Sequence, residues 1–338
     1  MEAMNFNPQN ILVLHFGQLG DIILSLPALS AIRKRFPDAH ITALVGKPSV
    51  QIIELADFFD KIIAVDRVEL RDSGKLWSIA QIFKIVGNIR RRNFDFIIDL
   101  HSLYETNLLG FFSGAKHRLF ANRESRSLDF LANFEPRPPR EDKTKNATDF
   151  YLDVLQPLDI REATRFVQIR PRQSDIEIIE NIWRIQNFEG KQMVGMFLGA
   201  GHFSRRWNIK NFAKLTQLLV TDERRKIVVF LGPEEQNLRK EVEEKFPPET
   251  FIIDKLTLPQ LAAALARVEV LVSNDTGPMH LGAVMGTSIV MLSKHGTPDA
   301  HIPLTEKLDI VRGATMKEIS VEEVLNTTQK VLAKIENK

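Results

Sequence analysis

Residues 274–278 read Asn-Asp-Thr-Gly-Pro, and His280 follows three positions after the glycine. This is the composition of an anion-binding turn. The β-branched apolar run before it, Val268–Ser273, reads as a buried parallel strand. Met279–Met285 reads as a helix and Ser288–Leu292 as the next strand. A strand that turns into a helix in this way gathers free backbone N–H groups and a positive dipole end at one point. A phosphate or carboxylate binds there. Asn, Asp and Thr also cap helices, so on spacing alone the same residues serve equally well as a cap.

Two more loops of the second half carry comparable residues: Leu198-Gly-Ala200-Gly201-His202-Phe-Ser-Arg205-Arg206-Trp207, and Leu231-Gly-Pro-Glu234-Glu235. Each follows an apolar strand, and in open α/β sheets ligands bind beyond the carboxyl ends of strands. A small-residue loop, two arginines and a free helix N-terminus suit a diphosphate, because guanidinium forks grip phosphate oxygens bidentately. The plainer reading makes Arg205 and Arg206 surface bases and Trp207 part of the core. On that reading Glu234 and Glu235 are first-turn acids that favour the helix dipole. In the first half, the strand Asn10–Phe16 runs into Gly17-Gln18-Leu19-Gly20-Asp21. The glycines allow a tight turn with close backbone approach, and Asp21 falls where a helix begins, as a cap or as a base. The three-glycine dinucleotide pattern fails, since only Gly17 and Gly20 are present.

The elements that must position these residues alternate between strand and helix along the chain. Strands are expected at His40–Val45, Ile62–Val65 and Phe94–Leu100, with helices over Val50–Phe58 and Leu76–Arg92. Pro27 kinks the first helix or marks where it truly starts. Between Lys116 and Lys145 the pattern dissolves into basic, Pro-rich sequence, as expected of a mobile or substrate-facing loop. Asn146–Leu155 reads as helical, and the linker is placed near Arg170–Ser174. The alternation then restarts with strands Met193–Leu198, Ile227–Leu231 and Phe251–Ile253 and helices Ile209–Thr221, Glu234–Phe246 and Pro259–Ala266. The outcome is two doubly wound parallel α/β domains, residues 1–171 and 172–338. The last helix, 321–335, is amphipathic and open to crossing back onto the first domain.

Two domains also suit 338 residues. With 44% hydrophobic and 26% charged residues, the composition is that of an ordinary globular enzyme. A net charge of +2 does not suggest wholesale nucleic-acid binding. The bases nevertheless cluster in the first half, at Arg90–Arg92, Lys116, Arg118, Arg123, Arg126, Arg137 and Arg140, as one positive face or as solvated helix ends. Without cysteine there are no disulfides and no thiolate metal sites. No signal-peptide layout and no apolar run of roughly 18 residues appears, so a soluble, cytoplasmic protein is expected.

These motifs carry a resemblance. LGAGHFSRRW, LGPEE and SNDTGPMHLGAVMG resemble the donor half of the family 9 glycosyltransferases, the ADP-heptose:lipopolysaccharide heptosyltransferases. HFGQLGDIILSLPALSAIRKRFPDAHITALV resembles that family's opening strand, Gly-x-x-Gly-Asp loop and Pro-Ala-Leu helix. The resemblance covers nearly the whole chain. It implies a GT-B fold, two Rossmann-like domains facing across a cleft, with acceptor on the first and nucleotide-sugar on the second.

Residue by residue, it implies Asp21 as the catalytic base, and Thr276, Gly277 and Pro278 as the turn on the donor diphosphate. Arg205, Arg206, Ala200 and Gly201 join that turn, and Asp275, His280 and Gly20 lie near the sugar. Arg205 stands where the family usually has lysine, which keeps the charge and widens the fork. Glu234 or Glu235 would hold the ribose, with Lys255 and Leu256 along the adenine. Gly17, Gln18, Arg118, Arg123 and Arg126 are left for an acidic glycolipid acceptor at the inner membrane face. His15 departs from the arginine or small polar residue common at its position, leaving the acceptor's identity open.

The chemistry expected is direct, inverting displacement at the anomeric carbon, with no metal and no cofactor. A carboxylate at a helix N-terminus is a weakened base, and proton transfer late in the attack tolerates that. The rivals are a GT-B enzyme using another nucleotide-sugar, as transferase or epimerase, and a non-catalytic nucleotide- or carbohydrate-binding protein.

Overall fold

The computed structural model describes residues 6–160, 162–296 and 299–337, the side chains at 71, 75, 76 and 79 excepted. They form two units. The first contains strands β1 (Asn10–His15), β2 (His40–Gly46), β3 (Lys61–Val65), β4 (Phe96–Asp99) and β5 (His117–Phe120) in the order β3-β2-β1-β4-β5. Its helices are α1 (Leu19–Arg35), α2 (Val50–Ala56), α3 (Arg67–Asp72), α4 (Lys75–Arg91), α5 (Tyr104–Phe112) and α6 (Ala147–Asp153). Ile11 to His15 are all buried, which is why this central parallel strand reads as an unbroken apolar run.

In the second unit the strands are β6 (Gln192–Phe197), β7 (Arg225–Phe230), β8 (Phe251–Ile253), β9 (Val270–Asn274), β10 (Ser288–Lys294) and β11 (Leu308–Gly313). Their order is β11-β10-β9-β6-β7-β8, again with every pairing parallel. Its helices are α7 (Gln173–Ile185), α8 (Ile209–Leu219), α9 (Arg239–Lys245), α10 (Leu258–Leu265), α11 (Gly277–Met285) and α12 (Val321–Glu336). Phe212, Leu215 and Leu219 of α8 and Val324, Val331 and Leu332 of α12 bury against Val194, Met196, Val272 and Val290 of the sheet.

Several expectations change. Helix α1 begins eight residues before Pro27 and continues past it, so the proline does not mark its start, and Thr148 of α6 donates to the carbonyl of Leu24 at 3.0 Å in the turn where the proline interrupts the ladder. The stretch from 116 to 145 is not a loose loop. It begins with β5, and Asn133 both accepts from Arg118 N–H (2.8 Å) and donates to Lys116 (2.9 Å). An Asn122–Arg140 bridge and an Arg137–Asp129 ion pair at 3.0 Å tie down the rest. Strand β5 has only four residues and opens on His-Arg, too short and too polar to register as a strand in sequence. The division between units falls at Val167/Gln168 rather than 171/172. Ile169 N–H already bonds Val284 at 3.2 Å, so the chain joins the second unit there. The last helix packs on α8 and on strands β9 to β11 of its own unit. A short return, Asp299–Ile302, counts with the first unit, where Asn146 donates to Ile302 at 2.8 Å.

Candidate active site

Each sheet has one point where the strand order reverses, and a crevice opens there beyond the carboxyl ends of two adjacent strands. In the first unit this lies between β1 and β4, in the second between β6 and β9. The Gly17–Asp21 loop leaves β1, the Gly199–Trp207 loop leaves β6, and the Asp275–Gly277 turn leaves β9.

In the second unit, buried Asn274 stitches the two loops together. Its Nδ2 donates to the carbonyls of Leu198 (2.9 Å) and Gly199 (3.2 Å), and its Oδ1 accepts from Trp207 N–H (2.9 Å). Trp207 is core, as its composition suggested, with its indole N–H on Ile319 at 3.0 Å. The ends of the loop are thereby fixed while Gly201 to Arg205 stay exposed. Thr276 is the N-cap of α11 in extended backbone, and its hydroxyl makes no capping bond. Asp275 sits beside it, half-buried, and Arg205 reaches across to its Oδ2 at 3.3 Å. Arg206 instead turns back on its own loop and donates twice to Ala200 (3.3 and 3.4 Å). Pro278 and buried His280 lie in the first turn of α11.

The two glutamates separate. The Glu235 carboxylate caps Gly232 N–H at 3.2 Å and lies directly against Gly199, where any Cβ would collide with it. Burial pushes the Glu235 carboxyl up, its neighbour Glu234 adds to that, and Arg206 works against it. Glu234 is exposed at the start of the same turn. Lys255 is exposed and Leu256 half-buried in the loop between β8 and α10.

In the first unit, Asp21 occupies the first turn of α1, where its Oδ2 accepts from Gln18 N–H at 2.9 Å. Its other oxygen accepts no hydrogen bond among the described residues. Gly20 stands beside it, half-buried, and Gln18 is exposed. Gly17 has no room for a side chain: a Cβ there would sit 2.5 Å from both the Asp21 Cβ and the His15 ring. Close approach, expected from the glycine, is here the approach of these two side chains.

His15 accepts from Gly17 N–H through Nδ1 (3.1 Å), and His101, from the loop after β4, stacks on it at 5.1 Å. Tyr151 closes the same group, 5.1 Å from His15. Burial holds the His15 imidazole well below its usual value, reinforced by His101 and Arg123. Burial also lowers His101 to about 4, with the Asp21 carboxylate pulling the other way. Arg123 donates to the His101 carbonyl at 2.9 Å and forks onto Glu141. Arg67 donates to the Phe16 carbonyl at 2.7 Å and pairs with Glu105 at 3.3 Å. Beneath the loop, buried Asp99 accepts from Ser102 N–H (2.7 Å), His101 N–H (3.2 Å) and Asn107 (2.9 Å), and burial pushes its carboxyl up to about 7. Asn107 in turn accepts from Leu128 N–H at 2.7 Å, which holds the next loop.

The arginines expected on one acceptor surface are split. Arg123 is at the crevice. Arg126 is exposed, with a left-handed backbone. Arg118 is elsewhere: it pairs in register with Ile97, two residues before the carboxyl end of β5, and its guanidinium is held by the Leu131 and Ala115 carbonyls. His101, Tyr151, Arg67 and Asn107 were not singled out from sequence. For His101 a signal existed, a histidine just past the apolar strand that ends in Asp99.

Two doubly wound parallel sheets, each with ligand loops at its reversal point, define the GT-B class of glycosyltransferases. The model of glycosyltransferase family 9 (heptosyltransferase) matches residues 82–330, and the chain belongs to that family. A curated relative, lipopolysaccharide heptosyltransferase 3 of Escherichia coli, is 22% identical over 284 residues, covering 81% of this chain and 80% of the relative. Among solved structures, a family 9 glycosyl transferase from Veillonella parvula superposes with a TM-score of 0.85 at 23% identity, covering 99% of this chain and 100% of that one. The E. coli ADP-heptose LPS heptosyltransferase II gives 0.81 at 18% identity, covering 97% and 100%.

Proposed function

We propose that the protein transfers a heptose from ADP-heptose to a hydroxyl of the lipopolysaccharide inner core, on a Kdo or heptose residue, with inversion at the anomeric carbon. Family membership and the printed names of its relatives support the donor and the pathway. The observation that carries the chemistry is Asp21, a half-exposed carboxylate at the mouth of a sheet crevice with one oxygen uncommitted.

In this reading the acceptor hydroxyl attacks the anomeric carbon, its proton passes to Asp21, and the bond from that carbon to the diphosphate breaks. ADP leaves with the bonding electrons. The charge building on it is stabilised by the open end of α11 at Thr276, Gly277 and Pro278 and by Arg205, with Ala200 and Gly201 allowing the diphosphate close to backbone. Asp275, His280 and Gly20 border the sugar. Glu234 takes the ribose because Glu235 is spent on its own turn, and Lys255 and Leu256 flank the base. Gly17, Gln18, Arg123 and Arg126 receive the acceptor. The enzyme works in the cytoplasm against the inner face of the membrane, and none of its described helices is long and apolar enough to cross a bilayer.

A thermal-shift panel with ADP, UDP, GDP and dTDP tests the donor. A ligand at ~100 times its dissociation constant adds about 2.7 kcal/mol to stability. Selective stabilisation by ADP is expected, and a preference for another nucleotide would rule out ADP-heptose.

A further inference from the structure

Helix α5 carries its apolar residues on both sides. Asn107, Leu109 and Gly110 face the core, and Leu109 packs with Phe94, Ile97 and Phe120. Tyr104, Leu108, Phe111 and Phe112, spaced four, seven and eight residues along, form a second stripe that faces out. Phe111 is 42% exposed and Phe112 49%, and the short turn packed on α5 presents Phe130 at 69%. The neighbouring α4 adds Phe83 at 72%. Single exposed apolar residues are ordinary, but a stripe of aromatics along one helix marks an interaction surface.

The charges around it choose the partner. Arg90, Lys116, Arg118 and Arg126 have no carboxylate partner among the described residues. Two of the acids nearby are taken: Glu105 by Arg67 at 3.3 Å and Asp129 by Arg137 at 3.0 Å. Arg118 lies 5.5 Å over the Phe111 ring. Aromatic tips bordered by bases that no carboxylate neutralises fit an interface of apolar chains beneath anionic headgroups, where rings enter the boundary and bases meet phosphate.

We propose that the outward face of α5, with Phe130 and its bordering bases, docks the protein on an anionic lipid bilayer. Tyr104 begins that face three residues after His101, so docking brings the crevice of Asp21 to the headgroup layer. The docking gives a purpose to the reading of a glycolipid acceptor but does not depend on it.

The test is co-sedimentation of the full chain with phosphatidylglycerol-containing vesicles and with pure phosphatidylcholine vesicles, with light scattering of the free protein alongside. The wild type is expected to sediment with the anionic vesicles and to be released by salt. Phe111→Ser/Phe112→Ser is expected to lower partitioning by about tenfold or more while keeping the nucleotide-induced thermal shift. Failure of the wild type to sediment, or equal sedimentation of the variant, overturns the proposal. So does a dimer in solution that the variant dissociates, since the face would then belong to a second copy. A nucleotide shift that persists in any of these cases leaves the donor reading standing.

Discussion

The rings of His15 and His101 lie 5.1 Å apart and 8° from parallel, carried by two loops that belong to adjacent strands. Both imidazoles are neutral in the fold, whereas the unfolded chain would protonate them near pH 6.5. Because the folded values are depressed, the unfolded state binds more protons below pH 6.5. Stability therefore falls as pH drops from about 6.5 towards about 4, on the order of 1–3 kcal/mol. The charged and titratable groups facing His101 are Asp21, Arg123, Arg67 and Glu105, along with His15. His101→Gln removes one titrating ring, and urea midpoints across that range are expected to show a flatter slope.

Asp21→Asn keeps an oxygen for Gln18 N–H, so folding and nucleotide binding are expected to survive. Turnover should fall about 10²–10⁴-fold with loss of the base. Near-normal turnover would remove Asp21 from the mechanism.

Asp99 and Asn107 form a buried donor–acceptor pair that positions the His101 loop. Asp99→Asn turns two amide donors towards each other and is expected to cost about 1–3 kcal/mol. The exchange Asp99→Asn/Asn107→Asp restores a donor facing an acceptor and should recover much of that, as read by denaturant midpoints. The wild-type carboxyl is raised, so its contribution is complete below about pH 4 and is lost as pH rises towards about 7. That slope opposes the histidine slope, so each is measured as wild type minus variant. A recovery no better than the single variant would mean the loop is held some other way.

The two arginines and two glutamates of the second unit should divide by role. Arg205→Ala is expected to weaken ADP binding by about 1.5–3 kcal/mol, and Arg206→Ala, whose fork serves its own loop, by less. Glu234→Gln should weaken nucleotide binding and leave stability unchanged. Glu235→Gln should lower stability, because its carboxylate closes the Gly232 turn. Calorimetric titration beside thermal unfolding separates the two effects, and identical behaviour of the glutamates would refute the division.

The parallel sheets were legible because buried central strands such as Ile11–Leu14 and Val270–Val272 are unbroken apolar runs. The edge strands β3 and β8 were legible too, but β5 and β11 were not: β5 opens on two polar residues, and β11 has a single fully buried member, Val311, before its final glycine. Residues at loop tips, Asp21, Arg205 and Thr276, could be nominated because strand-turn-helix order places them at carboxyl ends. What spacing could not supply was pairing between distant segments. His101 finds His15 only because β4 lies beside β1, and Asn274 reads as a cap until the carbonyls of Leu198 and Gly199 are seen to converge on it. Glu235 was separated from Glu234 by its bond to Gly232 N–H and its burial against Gly199, neither of which spacing shows.

The partition of the chain also has a consequence for how it is made. All five strands of the first sheet are encoded before Val167, and only Asp299–Ile302 is contributed from later sequence. A ribosome that has released those early residues has released a complete sheet with its own covering helices, which can collapse while the remainder is still being synthesised. A fragment ending at Val167 is expected to give cooperative unfolding and native-like far-ultraviolet dichroism. If it stayed unstructured until the second half was added, the first unit would depend for its folding on sequence made last.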